Sequence, residues 1–314
     1  MSISLPGRRQ ALKTIGLTAG ASLLKVPVSN AAAEKTPAAS FKFSLNMSTI
    51  RGQKLGFIRE LQTAAKAGFS SVEIWIDTFQ TYLQNGGSTA EAKKIIDDLG
   101  ITVENAIGFA KWIADDELIR KTALKQLQGE MELLAKIGCK RIAAPPMGAT
   151  ALPLIDLNAV TERYITVLQM GRQTGVKPLA EMWGGSENLK KISHVLYITT
   201  ESGHKDASVL LDAFHIFKGG SDPESLSFVG RHAIEVFHIN DYPSDIAPAK
   251  ISEPDRIYPG DGIAPLKQML KILKNPDKPV ILSLEVFNES YYAQDALLVA
   301  KTGLAKMKAV AAGI

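Results

Sequence analysis

Residues 41–47 read FKFSLNM, and short apolar runs of the same kind return at SVEIWI (71–76), ITVENAIGF (101–109), RIAAPP (141–146), VKPLAEMW (176–183), SVLLDAFH (208–215), AIEVFHIN (233–240) and VILSLEVF (280–287). Their length, their β-branched and aromatic content and the turn residues around them predict strands. Between them apolar residues recur at spacings of three and four, as in FIRELQTAAKAGF, ELIRKTALKQLQGEMELLAKIG and VTERYITVLQMGRQTG, several closed by Gly or Asn where a helix C-cap belongs. Eight strand-then-helix units in about 270 residues predict an α/β fold, a single-domain (β/α)8 TIM barrel. A doubly wound open sheet is the alternative, but it carries a Gly-rich phosphate loop after its first strand. Here that strand runs into NMSTIRGQKL.

Composition changes the picture mainly at the N-terminus. The 314 residues are 46% hydrophobic, normal for a globular chain, and carry a net charge of +4. The first 33 residues hold Arg8, Arg9, Lys13 and Lys25 and no acid, so the remainder is balanced and gives no argument for a nucleic-acid partner. That stretch has twin arginines, an apolar run from Thr14 to Leu24 too short to span a bilayer, and small residues around Ala31 and Ala33 that suit cleavage. It reads as a twin-arginine signal peptide over 1–33, recognised by the twin-arginine export machinery. The barrel domain then occupies 34–314, works in a periplasm, and leaves monomer or homo-oligomer open. The single cysteine, Cys139, has no partner for an internal disulfide and reads as core.

In such a barrel chemistry sits at the C-terminal ends of the strands. Glu181, Asp212, His238 and Glu285 fall there on strands five to eight. Taken alone, an Asp at a strand end more often caps a helix, and a lone His is more often a satisfied core or surface residue. Together, three carboxylates converging on one point carry a heavy cost unless a cation compensates them. Oxygen-rich ligation with one nitrogen suits one divalent ion: Mn²⁺, Mg²⁺, Co²⁺ or Zn²⁺. His215, three residues after Asp212 on the loop leaving strand six, is placed to bind substrate oxygens. Glu187 is placed to orient His215 or a substrate hydroxyl, or is a helix N-terminal acid. Arg256 lies in the Pro-rich irregular segment 241–262 and is the base expected over the mouth. Trp75, Trp112 and Trp183 also fall near strand ends, where indoles either stack on a sugar face or pack the barrel rim.

At these residues the chain resembles the sugar phosphate isomerase/epimerase superfamily of xylose isomerase-like TIM barrels over roughly residues 41–312. Glu181, Asp212, His238 and Glu285 match in order and spacing the metal ligands of its ketose 3-epimerase branch. His215, Glu187 and Arg256, the last preceding Pro259-Gly260 by three, match its substrate contacts, although an insertion separates His238 from Arg256. The resemblance implies that Glu181 and Glu285 exchange a proton next to a carbonyl through a metal-stabilised enediolate, on a non-phosphorylated sugar or keto-sugar. Elimination from a keto-glycoside, or hydration, on the same site is an alternative. A metal-containing barrel that binds carbohydrate without turnover is another. Endonuclease-type three-metal sites and xylose isomerase proper need histidines from early strands, and the first histidine here is His194.

Overall fold

The computed structural model describes residues 41–314; the expected leader, 1–33, and the start of the mature chain near Glu34 lie outside the described residues. The eight strands are β1 (Phe41–Asn46), β2 (Ser71–Trp75), β3 (Thr102–Ile107), β4 (Arg141–Ala144), β5 (Lys177–Glu181), β6 (Val209–Asp212), β7 (Ile234–Ile239) and β8 (Val280–Leu284). The helices are α1 (Phe57–Ala67), α2 (Ile76–Gln84), α3 (Thr89–Asp98), α4 (Glu117–Lys136), α5 (Leu157–Thr174), α6 (Ile192–Glu201), α7 (Ala213–Gly219), α8 (Leu266–Leu273), α9 (Glu289–Tyr292) and α10 (Ala296–Ala311). Strand order is β3-β2-β1-β8-β7-β6-β5-β4. The pairing of β1 with β8, in register Leu45 with Leu284, curls the sheet into a nearly closed TIM barrel. β3 and β4 lie side by side without a shared ladder. No helix among the described residues is long and apolar enough to cross a membrane.

Every predicted run contains its strand, but the strands stop earlier. β6 ends at Asp212 because its carboxylate caps α7, Oδ1 accepting the amides of Phe214 (2.6 Å) and His215 (3.3 Å). His215 therefore sits in the first turn of α7, not on a loop as expected.

Inside the barrel, side chains alternate with period two and stack in layers. Ile107, Ala143, Leu179, Leu210, Val236 and Ile281 form one apolar layer. Below it, at the strand starts, an ionic network closes the bottom: Glu235 meets Arg141 (2.6 Å), Lys177 (2.7 Å) and Lys278 (3.1 Å), and Glu104 meets Arg141 (3.1 Å) and Lys42. Above it, two residues along the same strands and on the same face, come Glu181, Asp212, His238 and Ser283. The apolar layer is the floor on which the polar cluster stands.

One acid away from this axis adds a pH dependence of its own. Glu60, in the first turn of α1, is 4% exposed, and its carboxyl is pushed up from the usual 4.5 to about 7, chiefly by burial and further by Asp77, against the pull of Arg51. The folded chain keeps this proton where the unfolded chain has released it, so stability falls as pH rises from about 4.5 through about 7. Glu60→Gln is expected to remove this dependence and to gain up to roughly 3 kcal/mol at pH 8. Urea unfolding of both proteins across that range checks it; parallel curves would refute the assignment.

Candidate metal and substrate site

His238 is the centre of the polar cluster and is fully buried. Its Nε2 lies 2.9 Å from Glu73 Oε2, while Nδ1 lies 3.0 Å from Glu285 Oε2 and 3.6 Å from Asp212 Oδ2 without a hydrogen bond of its own. Burial opposes charge on the ring, but Glu285 and Glu73 outweigh it and raise its proton affinity well above the ordinary value. Asp212 is likewise held well below the usual carboxylate range: burial works against this, and the Arg256 guanidinium overrides it.

The donor atoms of Asp212, His238 and Glu285 all lie within 4.8 Å of one another. Ligands held about 2.1 Å from one ion stand roughly 3.0–3.4 Å apart, so this buried O, N, O set fits a single divalent cation. His238 offers Nδ1 once that nitrogen gives up its proton, with Nε2–H retained on Glu73.

Glu181, expected as a fourth donor, lies outside this 4.8 Å grouping. It lines the same cavity with Oε2 unpartnered, and its carboxyl is pushed up to about 8, first by burial and then by Glu285 and Glu73, against His238 and Trp183. The structure thus places one poorly compensated acid beside three converging donors.

Glu73 was missed by sequence reasoning. It is fully buried in β2 and takes hydrogen bonds from Asn46 Nδ2 (2.8 Å), Asn105 Nδ2 (2.6 Å) and Ser283 Oγ (2.6 Å) besides facing His238. The available signal was a lone charge inside the apolar run SVEIWI. Asn46 was missed too; it spans Glu73 and Glu285 Oε1 (2.9 Å) while its Oδ1 accepts the Trp75 indole N–H (2.9 Å).

The 241–262 segment is an anchored strap. Asp241 accepts the amides of Tyr242, Gly260 and Ala264 at 2.8–2.9 Å and pairs backbone to backbone with Ile257. The strap delivers Arg256 inward, not over the mouth. Arg256 is 1% exposed, donates from Nη1 to Asp212 Oδ2 (2.6 Å) and Glu285 Oε2 (2.8 Å), pairs through Nη2 with Glu253, and lies against the faces of Phe214 and Phe287.

A cavity of about 300 Å³ opens above these groups. Phe287, Trp75, Phe109, Trp183 and His215 follow one another around it, with centroids 6.0, 5.2, 6.2 and 6.4 Å apart. Two expected substrate contacts are absent from this wall. Trp112 is buried elsewhere, donating to Pro145 O (2.7 Å) and packing on Tyr164, because its indole N–H finds a carbonyl in the core. Glu187 is exposed and faces Lys190 (3.7 Å); its neighbour Ser186 lines the cavity instead.

A family model described as xylose isomerase-like TIM barrel matches residues 61–310. The chain belongs to this family. Among curated proteins of similar sequence, inosose isomerase of Halalkalibacterium halodurans is 25% identical over 257 residues, covering 78% of this chain and 88% of the relative. Inosose isomerase of Bacillus subtilis is 25% identical over 199 residues, covering 59% and 69%. Among solved structures, an IolI protein with a zinc atom superposes with a TM-score of 0.79 at 23% identity, covering 86% of this chain and 98% of its own. An L-ribulose 3-epimerase superposes at 0.67 and 18% identity, covering 86% and 94%.

Proposed function

We propose that this barrel is a divalent-metal-dependent isomerase or epimerase that moves a proton at a carbon next to a carbonyl of a non-phosphorylated keto-sugar or keto-polyol. The observation that carries it is the juxtaposition of Glu181, unpartnered and poorly compensated, with Glu285 in one cavity beside a buried donor trio. The inosose isomerase relatives and the zinc atom in the IolI protein support the same reading.

Asp212, His238 and Glu285 would hold the ion, with Glu181 beside them. When bound, the ion supplies Lewis-acid polarisation of the carbonyl, which brings a weak carbon acid within reach of a carboxylate. Glu181 and Glu285 are the two carboxylates that exchange the proton. The aromatic wall takes the apolar face of the substrate ring and excludes water, and His215 and Ser186 offer polar contacts at the rim. Export through the twin-arginine leader, 1–33, belongs to the same proposal and explains the preference for a non-phosphorylated substrate.

The test is metal content of protein purified without chelator, followed by incubation with inososes and keto-sugars in D₂O. The expected result is about one equivalent of metal, sharply reduced in Asp212→Asn, and deuterium at a single ligand carbon. Metal and sugar binding without exchange would leave a carbohydrate-binding barrel. Exchange with loss of a substituent would make it a lyase. Protein that takes up no divalent metal would end the reading.

A further inference from the structure

The two carboxylate oxygens of the donor trio are already shared with a fixed positive charge. Arg256 Nη1 donates to Asp212 Oδ2 at 2.6 Å and to Glu285 Oε2 at 2.8 Å, the same oxygens that face His238 Nδ1. Asp212 Oδ1 is filled by Phe214 N, His215 N and Asn240 Nδ2, and Glu285 Oε1 already accepts Asn46 Nδ2. The oxygens turned toward His238 Nδ1, where a cation shared with that nitrogen would bind, are the ones that the guanidinium holds. A guanidinium does not lose its charge at any working pH, and at such separations like charges repel strongly in a buried site.

We propose that Arg256 is a tethered counter-cation that competes for the donor atoms of the metal site and lowers its affinity, so that metal loading depends on where the 252–256 turn holds this side chain. The inference rests on the proposed metal site. Glu253 tempers this charge: its half-exposed carboxylate pairs with Nη2 while Nη1 holds Asp212 and Glu285, so part of the guanidinium charge is offset outside the trio. The faces of Phe214 and Phe287, 4.4 and 5.2 Å from the guanidinium carbon, flank the side chain without adding a competing charge. Asp241 pins the strap, so the competition involves the side chain and not the opening of a loop.

The test compares Mn²⁺ and Zn²⁺ dissociation constants, by competition with a chromophoric chelator, for wild type, Arg256→Met, Arg256→Lys and Glu253→Gln. Arg256→Met is expected to bind metal at least about tenfold more tightly, and Arg256→Lys, which keeps the charge, to stay near wild type. Glu253→Gln is expected to bind several-fold more weakly, because the guanidinium loses the carboxylate that offsets part of its charge and repels the incoming cation more strongly. Wild-type or weaker affinity in Arg256→Met would overturn the proposal and make Arg256 a scaffold for the ligands. If Arg256→Met does not fold, Glu253→Gln, altered at the rim, decides alone: unchanged or tighter binding refutes the competition. Absence of binding in wild type and every variant would remove the metal site itself, a separate failure.

Discussion

Glu181→Gln is expected to lower kcat by roughly 10²–10⁴-fold while metal remains bound at Asp212, His238 and Glu285. The substitution keeps the shape of the side chain and removes its charge and its ability to take up and release a proton. Glu181 is suited to that role by its surroundings. It has no hydrogen-bond partner on Oε2 and shares its cavity with a wall of aromatic rings. Deuterium exchange at the substrate carbon should fall in proportion to kcat, with substrate affinity changed far less. Wild-type exchange in the variant would transfer the role to another group. Loss of metal together with activity would show instead that Glu181 is chiefly a ligand.

The second large effect is expected at a residue that touches neither cavity nor substrate. Glu73→Gln should weaken metal binding by about 10–100-fold. Glu73 sits behind His238 and receives three further donors from Asn46, Asn105 and Ser283. A carboxylate accepts from all four; a glutamine amide turns two N–H groups toward groups that are themselves donors. The one remaining acceptor oxygen is contested by His238 and the other donors, and wherever the amide nitrogen faces Nε2 the His238 proton moves to Nδ1, which blocks the nitrogen that faces Asp212 and Glu285. Removing one partner of a buried ion pair also costs stability, on the order of 3–5 kcal/mol. Chelator competition and thermal unfolding measure the two effects separately. Unchanged affinity in a folded Glu73→Gln protein would show that the histidine is oriented by packing alone.

The site divides into residues that strand periodicity exposes and residues that it hides. Asp212 and His238 stand two positions beyond Leu210 and Val236, so the inward parity of each strand, readable from the apolar run, also assigns the inward polar residue. Glu73 follows the same parity, but strands one to three offered no histidine or acid cluster to draw attention to it. Its importance comes from a contact with His238 across 165 residues of chain. Arg256 could be singled out in the sequence but was misplaced in depth, because whether a base in a Pro-rich segment hangs over a mouth or enters it depends on how the segment is tied down. The ties are the three amides gathered by Asp241. Trp112 and Glu187 line no part of the cavity for a related reason: a position near a strand end does not say which way a side chain leaves the loop.

By itself, then, the sequence determined the alternation of eight strands with helices, the inward parity of each strand, and the placing of acids and a histidine at the C-terminal ends of β5 to β8. These follow from local periodicity, which needs only the geometry of one strand or one helix. Only the tertiary structure decided that Asp212, His238 and Glu285 form the donor trio with Glu181 beside it, that Glu73 and Asn46 stand behind them, and that Arg256 enters the cluster. Those choices arise where β1 closes on β8 and where the strap crosses the barrel end, since side chains far apart in the chain meet only after the sheet has curled and its loops have been anchored.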